Sequence, residues 1–252
     1  MYKTLLYAGL FLLLALATAA EPVRARHLQG ELHAFLTIHD ERGKLLGTAD
    51  AVNAAVGRAW RSRLTIHFLD GSVDDDTATY TQAPVLQLLT DHHVQKGPSF
   101  PRPSDVLIDR ASGTVILRDL SGGSPNDEHM DLPAALSNGI MPMVLQNMPR
   151  GTAGVKVHYL VTTPKPRLVQ LAVQPAGTAV YRVGGAGRQA VQYRLHVEIG
   201  GLEGLVAPLV GKQPPDMTAW VTAGGSPTFL RLHGFLYLGG PMWMLQLASP
   251  QW

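Results

Sequence analysis

The chain has 252 residues, 46% hydrophobic and 16% charged, with 21 Lys and Arg against 19 Asp and Glu. The resulting formal charge of +2 gives no field that would gather nucleic acid or an acidic membrane. The absence of cysteine excludes a disulfide scaffold, a thiol nucleophile, thiolate zinc sites and iron–sulfur clusters, and a chain this long buries a core without such staples.

The first element is an export signal. Lys3 supplies a positive n-region, Leu5 to Ala17 form an apolar run too short to span a bilayer comfortably, and Ala17-Thr18-Ala19 is a small-residue cleavage site. Residues 1–19 are expected to be a cleaved secretory signal peptide, and 20–252 a single β-rich domain with no retained membrane span, periplasmic or extracellular.

Period-two patterning then dominates. Leu32, Ala34, Leu36 and Ile38 alternate with His33, Phe35, Thr37 and His39, and Trp60, Ser62, Leu64, Ile66 and Phe68 alternate with Arg61, Arg63, Thr65 and His67. Such alternation marks strands with one face on a core, as in antiparallel sheets. Asp70-Gly71 suits a tight type I′ hairpin. Asp74-Asp75-Asp76 follows it and lacks the twelve-residue pattern of a calcium loop, so it reads as a solvated charge run that protects a sheet edge.

The segment Asp91 to Pro101 holds the chemistry-bearing residues. Asp91, His92, His93 and Ser99 are the candidate catalytic set of an exported hydrolase, metal-assisted or serine-based. No G-x-S-x-G elbow is present, and Pro98 and Pro101 around Ser99 favour a rigid loop. A metal would need His93 together with His129 and Asp131, the last two spaced to share one face of a strand, but no metal signature motif accompanies them. Lys96, Arg61, Arg63, Arg194 and Trp243 are candidate ligand-binding residues. Arg binds carboxylate or phosphate bidentately if these strand faces line a concavity, and faces water otherwise.

One segment breaks the strand pattern. Asp131 as cap, Pro133 in the first turn and apolar residues from Leu132 to Val144 at helical spacing predict one principal helix over about 133–148, kinked or shortened at Pro142. Strand alternation returns at Val155, Val157, Tyr159 and Val161, and at Val191, Tyr193, Leu195, Val197 and Ile199. Gly184 to Arg188 lacks the ending of a phosphate loop and reads as a hairpin turn. Phe229, Phe235, Tyr237, Trp243 and Trp252 concentrate aromatics near the C-terminus. No cofactor motif occurs.

Asp91 to Pro101, Thr163 to Arg167, Ala207 to Asp216, Gly239 to Trp243 and Pro250 to Trp252 together resemble a family of uncharacterised exported bacterial proteins. That resemblance implies no activity. The expected architecture, a curved antiparallel sheet or partly closed barrel with one covering helix, is similar to the lipoprotein-carrier half-barrel, which shelters acyl chains. The reading that follows is a non-enzymatic binding or envelope-accessory protein whose partner is a hydrophobic or amphipathic small molecule or lipid. The alternatives are the hydrolase and a structural partner in an envelope assembly.

Overall fold

The computed structural model describes residues 20–122, 125–149, 151–162, 165–183, 186–198 and 213–248. The signal segment, most of the Ala207–Asp216 motif and Trp252 lie outside the described residues.

Fourteen antiparallel strands and one short helix make up the described chain. The first arm comprises β1 (Leu32–His39), β2 (Leu45–Val56), β3 (Ala59–Phe68), β4 (Val73–Thr81), β5 (Gln87–Lys96), β6 (Ser104–Asp109), β7 (Thr114–Asp119) and β8 (Asn126–His129). After α1 (Met141–Gln146) come β9 (Val155–Val161), β10 (Arg167–Val183), β11 (Ala186–Glu198), β12 (Met217–Thr222), β13 (Phe229–Gly234) and β14 (Trp243–Leu247). They form one sheet in the order β8-β7-β6-β5-β4-β3-β2-β1-β14-β13-β12-β11-β10-β9. Each arm is a meander, and the pairing of β1 with β14 joins the two. The expected curved antiparallel sheet is therefore present, open between β8 and β9.

The alternation places one face of most strands inward. Ile66 and Phe68 of β3, Ala78 and Tyr80 of β4, and Leu195 and Val197 of β11 are buried, while Arg61 and His67 are exposed. Two apolar clusters result. The larger joins the inner faces of β4–β7 to those of β9–β12 through Leu136, Ile140, Val144 and Met148. The smaller packs Leu36, Ile38, Ile66, Phe68, Phe100 and Trp243 beneath the middle of the sheet. Because both arms share the larger core, the sheet must bend back toward itself.

Residues 130–148 occupy the gap between the arms. The Met130 N–H donates to Gly113 O (2.8 Å), the His158 N–H to Ala135 O (3.0 Å) and the Ser137 N–H to His158 O (3.0 Å). This explains why the helix is shorter than the apolar spacing predicts. Ala135 and Ser137 commit backbone groups to β9, and a helix cannot use the same groups. Gly139 then takes φ +65°, so helix begins only at Met141, with Pro142 in its first turn. Asp131 caps nothing; the N-cap is Ile140. The chain's beginning is tied to this plug. Asn147, fully buried, accepts from the N–H groups of Arg26 and His27, both at 2.7 Å, and donates to Met143 O at 2.9 Å.

The hairpin after β3 differs from the type I′ expectation. Phe68 N–H donates to Ser72 O at 2.9 Å, so the loop holds three residues, Leu69 to Gly71, and only Gly71 has positive φ, at 85°. Asp70 instead accepts from the Ser72 N–H at 2.9 Å. The loop is of the three-residue class with glycine in the left-handed position.

Candidate functional site: an acid-lined wall in an apolar cavity

The inner face of the sheet and α1 surround a cavity of about 1310 Å³. Its wall is mostly apolar, taking Leu36 from β1, Ile108 from β6, Met143 from α1, Leu171 from β10, Leu195 from β11 and Leu245 from β14. One stretch is polar. Asp74 and Asp76 of β4, Asp91, His93 and Gln95 of β5, and Tyr159 of β9 line it together.

Strand register assembles this patch. Asp74 lies opposite Gln95, Asp76 opposite His93 and Ala78 opposite Asp91, so all these residues share the inner face. Asp74, only 3% exposed, accepts from His93 Nε2 at 3.1 Å through Oδ1, and from Gln95 Nε2 at 2.7 Å through Oδ2. Gln95 also donates to Leu236 O at 3.0 Å. His93 keeps 26% side-chain exposure and lines the cavity.

Asp76 and Asp91 form a second unit, hydrogen bonded to each other. Asp91 is 3% exposed, and neither Asp76 Oδ1 nor Asp91 Oδ1 receives a hydrogen bond from any other described group. Two carboxyls bond to one another only by sharing a proton. Burial, reinforced by the adjacent Asp76, holds the Asp91 carboxyl well above the usual carboxylate range. Burial also raises Asp76, with His93 and the Asp91 hydrogen bond opposing it. For His93, burial favours the neutral ring, but Asp74, Asp76 and Asp91 outweigh it and raise the imidazole to about 10. Burial and the same three carboxyls raise the Tyr159 hydroxyl.

A clamped loop closes the wall. Asn138 donates to Leu160 O at 3.0 Å and accepts from the Leu160 N–H at 2.8 Å. This seats Gly139 against the acid pair so closely that a Cβ there would lie 2.6 Å from Asp91 Oδ1 and 2.6 Å from Ala78 Cβ.

The residues singled out in the sequence are dispersed. Asp91 and His93 enter the cluster. His92 points to the outer face and bonds Asp105 at 3.0 Å, and Ser99 Oγ donates to Asp70 at 2.7 Å in the β3–β4 turn. Lys96, Arg61, His129 and Asp131 are exposed. Arg63 pairs with Asp75 on the outer face, and Arg194 lies 3.5 Å from Asp216 with 52% exposure. Trp243 is buried against Phe68, Phe100 and Tyr237. No group of three or more His, Asp or Glu among the described residues is arranged to hold a metal ion.

The reading of Asp74 to Asp76 as a solvated edge run is overturned. β4 is an interior strand between β3 and β5; Asp74 and Asp76 face the cavity, and only Asp75 faces outward with Arg63. Tyr159 and Gly139 were not singled out by sequence either.

No family model matches the chain, and no curated protein matches it. A crystal structure described as a beta-barrel-like protein of domain of unknown function DUF1849, from Brucella abortus, is similar to it at TM-score 0.48 and 10% identity, covering 92% of this chain and 98% of that one.

Proposed function

We propose that this is an exported protein that shelters a hydrophobic or amphipathic molecule inside its bent sheet. The observation that carries the proposal is the cavity of about 1310 Å³, larger than the roughly 300–1,000 Å³ of ordinary small-molecule pockets. A hollow of that size with a mostly apolar wall is far larger than the voids a packed interior tolerates. It is therefore filled, by water or by a ligand, and an apolar ligand that displaces water from an apolar wall gains about 25 cal/mol per Å² buried.

Native mass spectrometry of the protein purified from its own host, with organic extraction of the same sample, tests this. A co-purifying apolar molecule is expected, and an uncharged fluorescent probe such as 1-anilinonaphthalene should enter the emptied cavity. Ligand-free preparations that also fail to take up the probe would refute it. Of the two rivals, the hydrolase keeps Asp91 and His93 together but has Ser99 and His92 engaged elsewhere. A purely structural envelope partner would present an apolar surface patch and need no hollow.

A further inference from the structure

Resting on the carrier reading, we propose that the polar wall is a seat for a cationic head group, so that the molecule carried is an amphiphile bearing an ammonium rather than a carboxylate or phosphate. The argument is one of charge. Three carboxyls and one imidazole meet on this wall. Asp74 is matched by His93 and Gln95. Asp76 and Asp91 share one proton between them and take no other donor through their sealed oxygens, which leaves the patch with one negative charge in excess. Asp91 is almost wholly buried and lines the cavity, and an uncompensated charge in such a place costs several kcal/mol. A cation seated against Asp76, which is only half-buried and lines the cavity, supplies the charge that the patch lacks.

The other charged groups on the lining do not change the balance. Glu31 and Arg102 are exposed, and His33, also exposed, pairs with Asp50 at 3.0 Å. No lysine among the described residues lines the cavity. A fatty carboxylate or a phosphate would meet Asp76 and Asp91, and the cation on that wall, His93, is already engaged by Asp74. Tyr159, alongside the patch, adds a hydroxyl and an aromatic face, both suited to an ammonium.

The test compares dodecylammonium, dodecanol and dodecanoate on the delipidated full mature protein at pH 7, by displacement of the anilinonaphthalene probe. The amine should bind at least about tenfold more tightly than the alcohol, and the carboxylate more weakly than the alcohol. Replacing one member of the pair, Asp91→Asn, leaves a single carboxylate accepting from the new amide, so the preference for the amine should persist. Replacing both, Asp76→Asn with Asp91→Asn, removes the excess charge at unchanged volume, and the amine advantage should fall to within about twofold while dodecanol binding is unchanged. Alcohol binding with no amine preference, a preference for dodecanoate, or a double variant that keeps the amine preference would overturn the head-group assignment and leave the carrier reading standing. Failure of all three amphiphiles to bind would overturn the carrier reading itself.

Discussion

Raising the pH should destabilise this protein well before any lysine or ordinary tyrosine titrates, and His93 is the reason. Its pKa in the folded state is raised to about 10, against about 6.5 for an unperturbed imidazole. The native state therefore binds more protons than the unfolded chain, and stability must fall as pH rises. The contribution is fully present below about pH 6.5 and is lost as pH climbs through about 10. Asp91 has the same sign: its raised carboxyl pKa means native protons held above the unfolded value of about 3.9, so it too loses stability as pH rises. One extra native proton gives about 1.4 kcal/mol per pH unit, hence just under about 3 kcal/mol between pH 7 and 9. For a domain of this size that is a fall in Tm of roughly 6–11 °C. The window is clean because the chain has no cysteine. Differential scanning calorimetry at pH 7, 8 and 9 and constant ionic strength reads the slope. His93→Gln keeps a donor for Asp74 and removes the titration, so its Tm should vary less than half as much. A wild-type Tm that is flat or rises over this window, or an unchanged slope in His93→Gln, would refute the electrostatic account.

Three further outcomes follow from the packing. Gly139→Ala should cost about 2–4 kcal/mol in urea unfolding, because it adds a left-handed backbone penalty to a Cβ 2.6 Å from Asp91 Oδ1 and Ala78 Cβ. Asn147→Ala should cost about 2–4 kcal/mol, since it strips the N–H groups of Arg26 and His27 of their acceptor inside the fold; hydrogen exchange at those two amides should rise with it. Arg63→Ala should cost less than about 1 kcal/mol by the same urea measurement, because Arg63 is 57% exposed and its pair with Asp75 is solvent-screened.

Much of the fold is legible in the sequence because burial of one strand face leaves a two-residue trace. Ile66 and Phe68 point inward and Arg61 and Arg63 outward, as their alternation requires. The helix was legible in place but not in extent, since nothing local announces that Ala135 and Ser137 bond to His158. The site was hidden by a single residue of register. A two-residue loop at Asp70-Gly71 would set Asp75 opposite Ile66 and turn Asp74 and Asp76 to solvent. The observed three-residue loop sets Asp74 opposite Ile66 and Asp76 opposite Leu64, which carries both carboxyls to the cavity face. The clue was the turn chemistry: Asp70 is stable as a side-chain acceptor for Ser72 with negative φ, leaving Gly71 as the only left-handed residue of the loop.

The way the rest of the interior treats its polar groups marks the acid wall as different. Tyr80 donates to Asn53 at 2.9 Å, and Asn53 donates in turn to Gly30 O at 2.8 Å. Gln82 and Gln29 exchange hydrogen bonds at 2.6 and 2.9 Å, and Asn138 does the same with Leu160. Each is a closed network of the kind that fixes a core. Asp76 and Asp91 form the opposite arrangement: two carboxyls forced to share a proton where apolar residues would simply extend the stripe from Ala78 and Tyr80. Among the described residues His39 Nε2, His158 Nδ1 and Arg231 Nε are also buried without a partner, but of these unsatisfied groups only the acid pair belongs to residues that line the cavity, and local inconsistency of this kind concentrates where function is exercised. The pair belongs to whatever enters the cavity.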